Sequence, residues 1–285
     1  MKKIILLLLI NTSIFAELTE VIHSSATTYF EHKTFSHSLQ KEDGNIYGVG
    51  ADIHYGNSEY KFVYEYGDTN TRQPPLKEDL KTQKLFLRYM YRFNDTVMMN
   101  MNYIKILNDN IAITDNGTAY GAGITYMPSQ KIMLNFTQYG TDYEDFNVYE
   151  SDLKLEYKMK MEEVKLKISS ITKYINIDEE HVNAFTKNAK DDYLTTGLML
   201  HMNYHTYHAG AGVYFGKRVF AIMNDGFKIQ HHAMEFNRTY AVGVGKKISD
   251  VMLRMQYIYQ RATELPMRNE GVKVSNIRLI VNYRF

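Results

Sequence analysis

The chain has 285 residues, with 33 basic and 32 acidic side chains for a net charge of +1, 24 tyrosines, 14 phenylalanines, four prolines, and neither cysteine nor tryptophan. Near-neutrality removes the global basic field that a nucleic-acid partner requires. The absence of cysteine excludes disulfides, thiolate metal sites, a cysteine nucleophile and lipoprotein acylation.

Lys2 and Lys3 precede an apolar run from Ile4 to Ile10, a polar break at Asn11 to Ser13, and Ala16. This pattern reads as a secretory signal peptide over 1–16, cleaved after Ala16. It is too short and too interrupted for a membrane-spanning helix, which needs about twenty apolar residues. Losing Lys2 and Lys3 leaves 31 basic against 32 acidic side chains over 17–285, read as a single domain. No other apolar run reaches helix-spanning length. An exported chain of this kind is either a soluble periplasmic β-protein or a barrel that dilutes its lipid-facing residues by alternation.

In chain order, a weak strand near 20–33 precedes Tyr47, Val49, Ala51, Ile53 and Tyr55, which alternate with Gly48, Gly50, Asp52 and His54. After Gly56-Asn57 come Tyr60, Phe62, Tyr64 and Tyr66, which complete a hairpin. The figure repeats with Leu85, Leu87, Tyr89, Tyr91 and Phe93, then Val97, Met99, Met101 and Tyr103, with Lys84, Arg88, Arg92, Asn100 and Asn102 on the other face. Tyr120 to Tyr126 turn at Pro128 into Ile132, Leu134 and Phe136. Proline fits a turn, where no ladder donor is lost.

Tyr149, Leu153, Leu155 and Tyr157 turn near Met161 into Val164, Leu166 and Ile168, and Asp152, Lys154, Glu156, Lys158, Lys165, Lys167 and Lys173 lie on the opposite face. Leu194 to Tyr204 and Tyr207 to Phe215 form the next pair, with His201, Gly210 and Gly212 alternating. Phe236 to Val244 pair with Val251 to Tyr259, whose other face carries Arg254. Ile277, Leu279, Val281, Tyr283 and Phe285 close the series against Arg278 and Asn282.

That makes fourteen strands of about ten to thirteen residues. Short turns near 56, 94, 129, 161, 205 and 249 alternate with long polar connections at 34–44, 67–80, 108–117, 140–148, 175–191, 217–233 and 262–271. Such alternation belongs to a transmembrane antiparallel up-and-down β-barrel with short periplasmic turns and long external loops. A β-sandwich also alternates, but accounts for only about 100 residues. Tyrosines at the ends of the apolar faces suit a membrane-interface belt.

The chain at this point resembles bacterial outer-membrane porins, especially small single-chain porins of fourteen strands. The most specific match is the last strand ending VNYRF, with Tyr283 and Phe285 similar to the terminal signal read by the barrel-assembly machinery. The resemblance implies a Gram-negative outer-membrane location, a lipid environment and possible homo-oligomers.

Fourteen strands leave room for a narrow pore, so the expected function is passive diffusion of small hydrophilic solutes or ions. The expected pore lining is Lys84, Arg88, Lys154, Glu156, Lys158, Lys165, Lys167, Lys173, Arg254 and Arg278. The lysines of 154–173 form a positively biased wall that suggests weak anion preference. Lumen glycines such as Gly48 and Gly121 either make room or relieve crowding.

Two other readings are a closed adhesin or structural barrel acting through its loops, and an outer-membrane hydrolase. For the hydrolase, His201 and His205 lie too far apart along a strand, roughly 13 Å, to share a metal or a proton. His208, His231 and His232 read as solvated loop histidines, so no enzyme activity, metal or cofactor is expected. The segment 217–233 carries VFAIM and a Gly-Phe pair, more apolar than a solvated loop, and is the best candidate to fold into the lumen.

Overall fold

A computed structural model describes residues 23–73, 76–110, 113–179, 186 and 188–285. The expected signal peptide over 1–16 lies outside the described residues. The strands are β1 His23–Ser36, β2 Lys41–Tyr55, β3 Ser58–Thr71, β4 Leu80–Arg92, β5 Val97–Asp109, β6 Thr118–Ser129, β7 Ile132–Asp142, β8 Phe146–Met161, β9 Val164–Glu179, β10 Asp192–Tyr204, β11 Tyr207–Arg218, β12 Ile222–Met223, β13 Lys228–Ile229, β14 Met234–Ile248, β15 Val251–Glu264 and β16 Asn269–Arg284. All except β12 and β13 form one closed antiparallel barrel of fourteen strands, each paired with its neighbour. Closure is made by β1 on β16, in register from Ser25 opposite Arg284 to Ser36 opposite Lys273.

Period-two alternation sets the two faces, as the sequence implies. Leu155, Leu198, Val242 and Val281 stand outside, with Leu198 50% and Val242 56% exposed, while Glu31, Lys84, Asp152 and Lys173 are buried inside. Exposed Tyr55, Phe93, Tyr126, Tyr157, Tyr204, Tyr207 and Tyr283 ring the end that carries the short turns. Tyr47, Tyr120, Tyr149, Tyr174 and Tyr240 form a second ring nearer the long connections. Two aromatic girdles around an aliphatic band are the exterior of a barrel that crosses a bilayer.

The strands are longer than expected, reaching 16 residues in β8 and β16. All seven expected loops shorten accordingly, three of them to 37–40, 143–145 and 265–268. Polarity had marked these stretches as loop, but a strand of that length runs about 50 Å and outreaches the roughly 25 Å apolar band even when tilted. Beyond the band a strand stays laddered while its outward residues turn polar.

Two lumen glycines, Gly48 and Gly121, lie under rings rather than beside open space. A Cβ at Gly48 would fall 2.0 Å from the Tyr29 ring, and one at Gly121 would fall 2.4 Å from Tyr139. Each glycine accepts an inward tyrosine from the adjacent strand, which fills the interior.

Placing a charge on the lipid face should cost far more than placing one inside. Leu198→Arg, at the centre of β10, is expected to lose about 2–4 kcal/mol of folding stability in lipid vesicles. His201→Arg, on the lumen face of the same strand, should leave it near wild type. Urea titrations followed by heat-modifiable mobility on gels compare the two.

Candidate functional site

The connection between β11 and β14 runs into the barrel. A bulge between Phe215 and Arg218 breaks the β11 ladder, aided by Gly216 at φ 91°. The chain then turns inward through Val219, Phe220 and Ala221, all fully buried. A small hairpin follows, with Ile222 opposite Ile229 and Met223 opposite Lys228. Its tip is a tight turn over Asn224–Gly226, where Asn224, Asp225 and Gly226 all take left-handed backbone conformations. Short polar residues and glycine tolerate that geometry.

The hairpin crosses the lumen. In the fourteen-strand circuit, β4 and β5 stand opposite the gap between β11 and β14. The tip reaches both. Arg88 on β4 donates to the Asp225 carbonyl at 3.5 Å, and a Cβ at Gly226 would fall 2.6 Å from Asn102 Oδ1 on β5. From β8, Lys154 Nζ donates to both Asp225 carboxylate oxygens, at 3.1 and 2.8 Å.

On the side lined by β5 to β10 the hairpin rests on an apolar bed. Phe220 lies 4.8 Å from Phe146 and 5.8 Å from Tyr143, centroid to centroid. Ile104, Ile106, Val148, Ile175, Ile177 and Tyr193 complete that core. Within it, the Ile222 amide donates to Glu150 Oε2 at 2.8 Å, and Lys173 Nζ donates to the Ile222 carbonyl at 2.6 Å. Lys173 also pairs with Glu150 Oε1 at 2.8 Å and with Asp152. At 1% exposure for both Lys173 and Glu150, this is a buried triad serving the hairpin backbone.

The other side, lined by β14–β16 and β1–β3, is charged. Glu31 on β1 receives Arg278 Nε at 2.6 Å, Lys228 of the hairpin at 3.4 Å and Lys33 at 3.6 Å. Lys84 pairs with Glu65 at 2.9 Å. Lys61 pairs with Asp52 at 2.9 Å and lies 5.1 Å from the Phe227 ring centroid. The hairpin thus divides the lumen into an apolar, filled half and a charged half.

The expected pore-lining residues all alternate onto the lumen face, but in different settings. Lys84, Arg88, Lys154, Lys173 and Arg278 are committed to the contacts above. Glu156 is buried and receives Lys167 at 3.3 Å and Lys158 at 3.6 Å. Lys158 and Lys167 keep side-chain exposures of 50% and 39%, and Lys165 and Arg254 are exposed. These four lie on the lumen face between the level of the hairpin and the short-turn end. Tyr283 and Phe285 pack edge to face outside, centroids 5.0 Å apart.

Sequence reasoning missed Glu31, Glu65, Glu150 and Asp225 as partners. Glu150 carried a signal, since it alternates with Tyr149 and shares a face with Asp152. Asp225 carried a weaker one in its Asn-Asp-Gly turn.

The histidines need one correction. His205 sits in the β10–β11 turn, 2.7 Å from Glu163, and Nδ1 of His208 bonds Asn203 Oδ1. His231, read as solvated, is buried. Its Nδ1 donates to Asp109 Oδ2 at 2.7 Å, and its carbonyl accepts from Thr114 Oγ1 at 2.6 Å. Burial, and then Lys84 and Lys33, hold its pKa well below the ordinary histidine value. Inward folding of 219–233 takes His231 out of water, and a neutral ring latches the hairpin base to the end of β5. Asp109, His231 and His232 bring ligand atoms within 4.8 Å of one another, but the surrounding lysines repel a dication.

No known family profile matches this sequence, and no curated protein matches it. Solved structures do match the fold. A bacterial polysaccharide outer membrane secretin is similar at TM-score 0.55 and 9% identity, over 94% of this chain and 100% of the other. The outer membrane protein Omp33 of Acinetobacter baumannii is similar at 0.53 and 8%, over 92% and 99%. The toluene transporter TbuX of Ralstonia pickettii is similar at 0.53 and 8%, over 94% and 90%. The fold is that of an outer-membrane-type β-barrel.

Removing Lys173 would leave Glu150 and Asp152 buried without a cation. Lys173→Met is expected to cost about 3–5 kcal/mol of stability, the usual penalty for breaking a buried pair. It should also expose the hairpin, read as new cleavage within 219–230 in limited proteolysis of the folded barrel.

Proposed function

We propose that the protein is an outer-membrane channel for passive diffusion of small hydrophilic solutes or ions, with the hairpin of 219–233 as its constriction. The hairpin spanning the lumen to β4 and β5 carries this reading. A barrel serving only as a scaffold for external loops has no need of an ion-paired element at its centre. Solutes would pass on the charged side of the hairpin, since the other side is packed with aliphatic and aromatic groups. The long connections would face outward and the short turns the periplasm. A polysaccharide secretin and a toluene transporter share this fold, so the solute class rests on the lumen side chains alone.

The wall also supports weak anion preference. Lys158, Lys165, Lys167 and Arg254 face the space below the hairpin, where Glu156 is buried and shared by two lysines. Exposed cations attract anions from solution, over about 8 Å at physiological salt.

Planar-bilayer recording tests the channel reading. Wild-type protein should give discrete conductance steps, and Asp225→Ala, which frees the tip from Lys154, should increase the step size or its flicker. Silence from wild type and from a variant with 221–229 replaced by a short glycine link would instead favour a closed barrel acting through its loops.

Selectivity is read separately by reversal potential in a salt gradient. Lys158→Glu with Lys167→Glu leaves the hairpin anchors untouched and should shift selectivity toward cations, most at low salt. An unchanged reversal potential in a conducting double mutant would remove the anion preference and spare the channel.

A further inference from the structure

On the charged side of the hairpin, toward the long-loop end, lies a cavity of about 60 Å³ between the hairpin base and the wall. At roughly 10–15 Å³ per water, it holds several waters or one tetrahedral oxyanion. Lys33, Lys41, Lys84 and Lys228 line it, with Gln260 and Asn276 beside them and Phe35, Phe236 and Val274 as an apolar floor. No carboxylate is among its lining residues.

The charge around this cavity does not balance. Glu31 is shared by Lys33, Lys228 and Arg278, and Glu65 serves Lys84. Asp109 accepts hydrogen bonds from the neutral His231 ring and from Thr114. Glu264 accepts from Ser38, the Leu39 amide and Asn269. Lys41 is left over. It is 4% exposed, and its ammonium has no hydrogen-bond or ion-pair partner among the described residues. Its nearest recorded contact is the Phe35 ring, 5.7 Å from the centroid. An unpaired ammonium in such a place is costly, and the missing partner is an acceptor.

We propose that this cavity is a binding site for a small doubly charged oxyanion, inorganic phosphate or sulfate, with Lys41 as its principal ligand and Lys33, Lys84 and Lys228 around it. Lys33, Lys41, Lys84, Lys228 and Arg278 exceed Glu31, Glu65, Asp109 and Glu264 by one charge, and the four lysines lining the cavity attract a dianion more strongly than a monoanion. The Gln260 amide donates one proton to Thr239 Oγ1 at 3.1 Å and the Asn276 amide one to Glu31 Oε1 at 2.9 Å, and each keeps a second amide proton that suits an oxyanion oxygen. The proposal deepens the channel reading by naming a solute class, but binding is measurable without conduction. It also ties occupancy to the hairpin, because Lys228 belongs to β13 and the others to the wall.

Isothermal titration of the folded, detergent-solubilised barrel with phosphate, sulfate and acetate, in low-chloride buffer, tests it. Saturable one-to-one binding of phosphate or sulfate, with acetate at least about tenfold weaker, is expected, since losing one charge-assisted contact is worth that much. Lys41→Met should weaken the dianion by about tenfold or more, and Lys41→Arg should retain it. Lys33→Met, a peripheral lysine, provides a second loss variant should Lys41→Met fail to fold. Heat-modifiable mobility confirms each barrel.

No saturable dianion binding to the wild type, or equal binding by the folded loss variants, would overturn the site. So would zinc binding abolished by His231→Ala with no oxyanion binding. Dianion binding by a barrel silent in bilayers would keep the site and overturn the channel, whereas conduction without dianion binding would do the reverse.

Discussion

Closure of the backbone ladder is the constraint on which the rest of this structure depends. In hydrocarbon no water satisfies a free N–H or C=O, so a β-sheet crosses a membrane only without edges. Here β1 meets β16 along a twelve-residue register from Ser25 to Ser36. The hydrophobic effect then works in reverse of a soluble protein, with Leu155, Leu198 and Val242 outside and Glu31, Lys84 and Lys173 inside. The interior must solve its own electrostatics.

It solves them differently on the two sides of the hairpin. Toward β5–β10, apolar packing fills the lumen and one buried triad, Lys173 with Glu150 and Asp152, satisfies the hairpin backbone at Ile222. A buried triad pays heavily in desolvation, so its use here is positional: it sets where β12 sits along β8 and β9. Toward β14–β16 and β1–β3, carboxylates are outnumbered and shared, and one lysine is left without a partner.

Strand order, facing and hairpin pairing were legible in the sequence because alternation reports them directly: Tyr47 to Tyr55 and Leu85 to Phe93 each write one face. The inward course of 217–233 was also legible, since Val219, Phe220, Ala221 and Ile222 are too apolar for a solvated loop. Strand ends were not, because polarity rises at 34–44 and 140–148 where strands leave the apolar band yet stay laddered. Nor were the pairings at the site. Lys173 meets Asp152 through the β8–β9 register and Lys154 meets Asp225 across 71 residues of chain, and a charge pattern along one strand cannot state which partner stands opposite. His231 was misread for the same reason, as it is held by Asp109 at the end of β5 and by Thr114 in the connection that follows.

The hairpin's two ends are held by forces of different kind, and this decides which end yields. At the root, Val219, Phe220 and Ala221 are fully buried against Phe146 and Tyr143, contacts that salt does not screen and that hold by excluded water. At the tip, Asp225 meets Lys154 with its carboxylate 42% exposed, in the setting where ion pairs weaken as ionic strength rises. Arg88 adds only one long hydrogen bond to a carbonyl. In the proposed channel, motion that widens the passage would therefore begin at Asn224–Gly226 and pivot about the aromatic root. Glu31 sits on the path of that pivot, since it holds Lys228 of β13 together with Lys33 and Arg278 of the wall. Rearrangement of the tip is thereby coupled to the lysines around the cavity, and a dianion bound between Lys41 and Lys228 would draw the hairpin toward the charged wall.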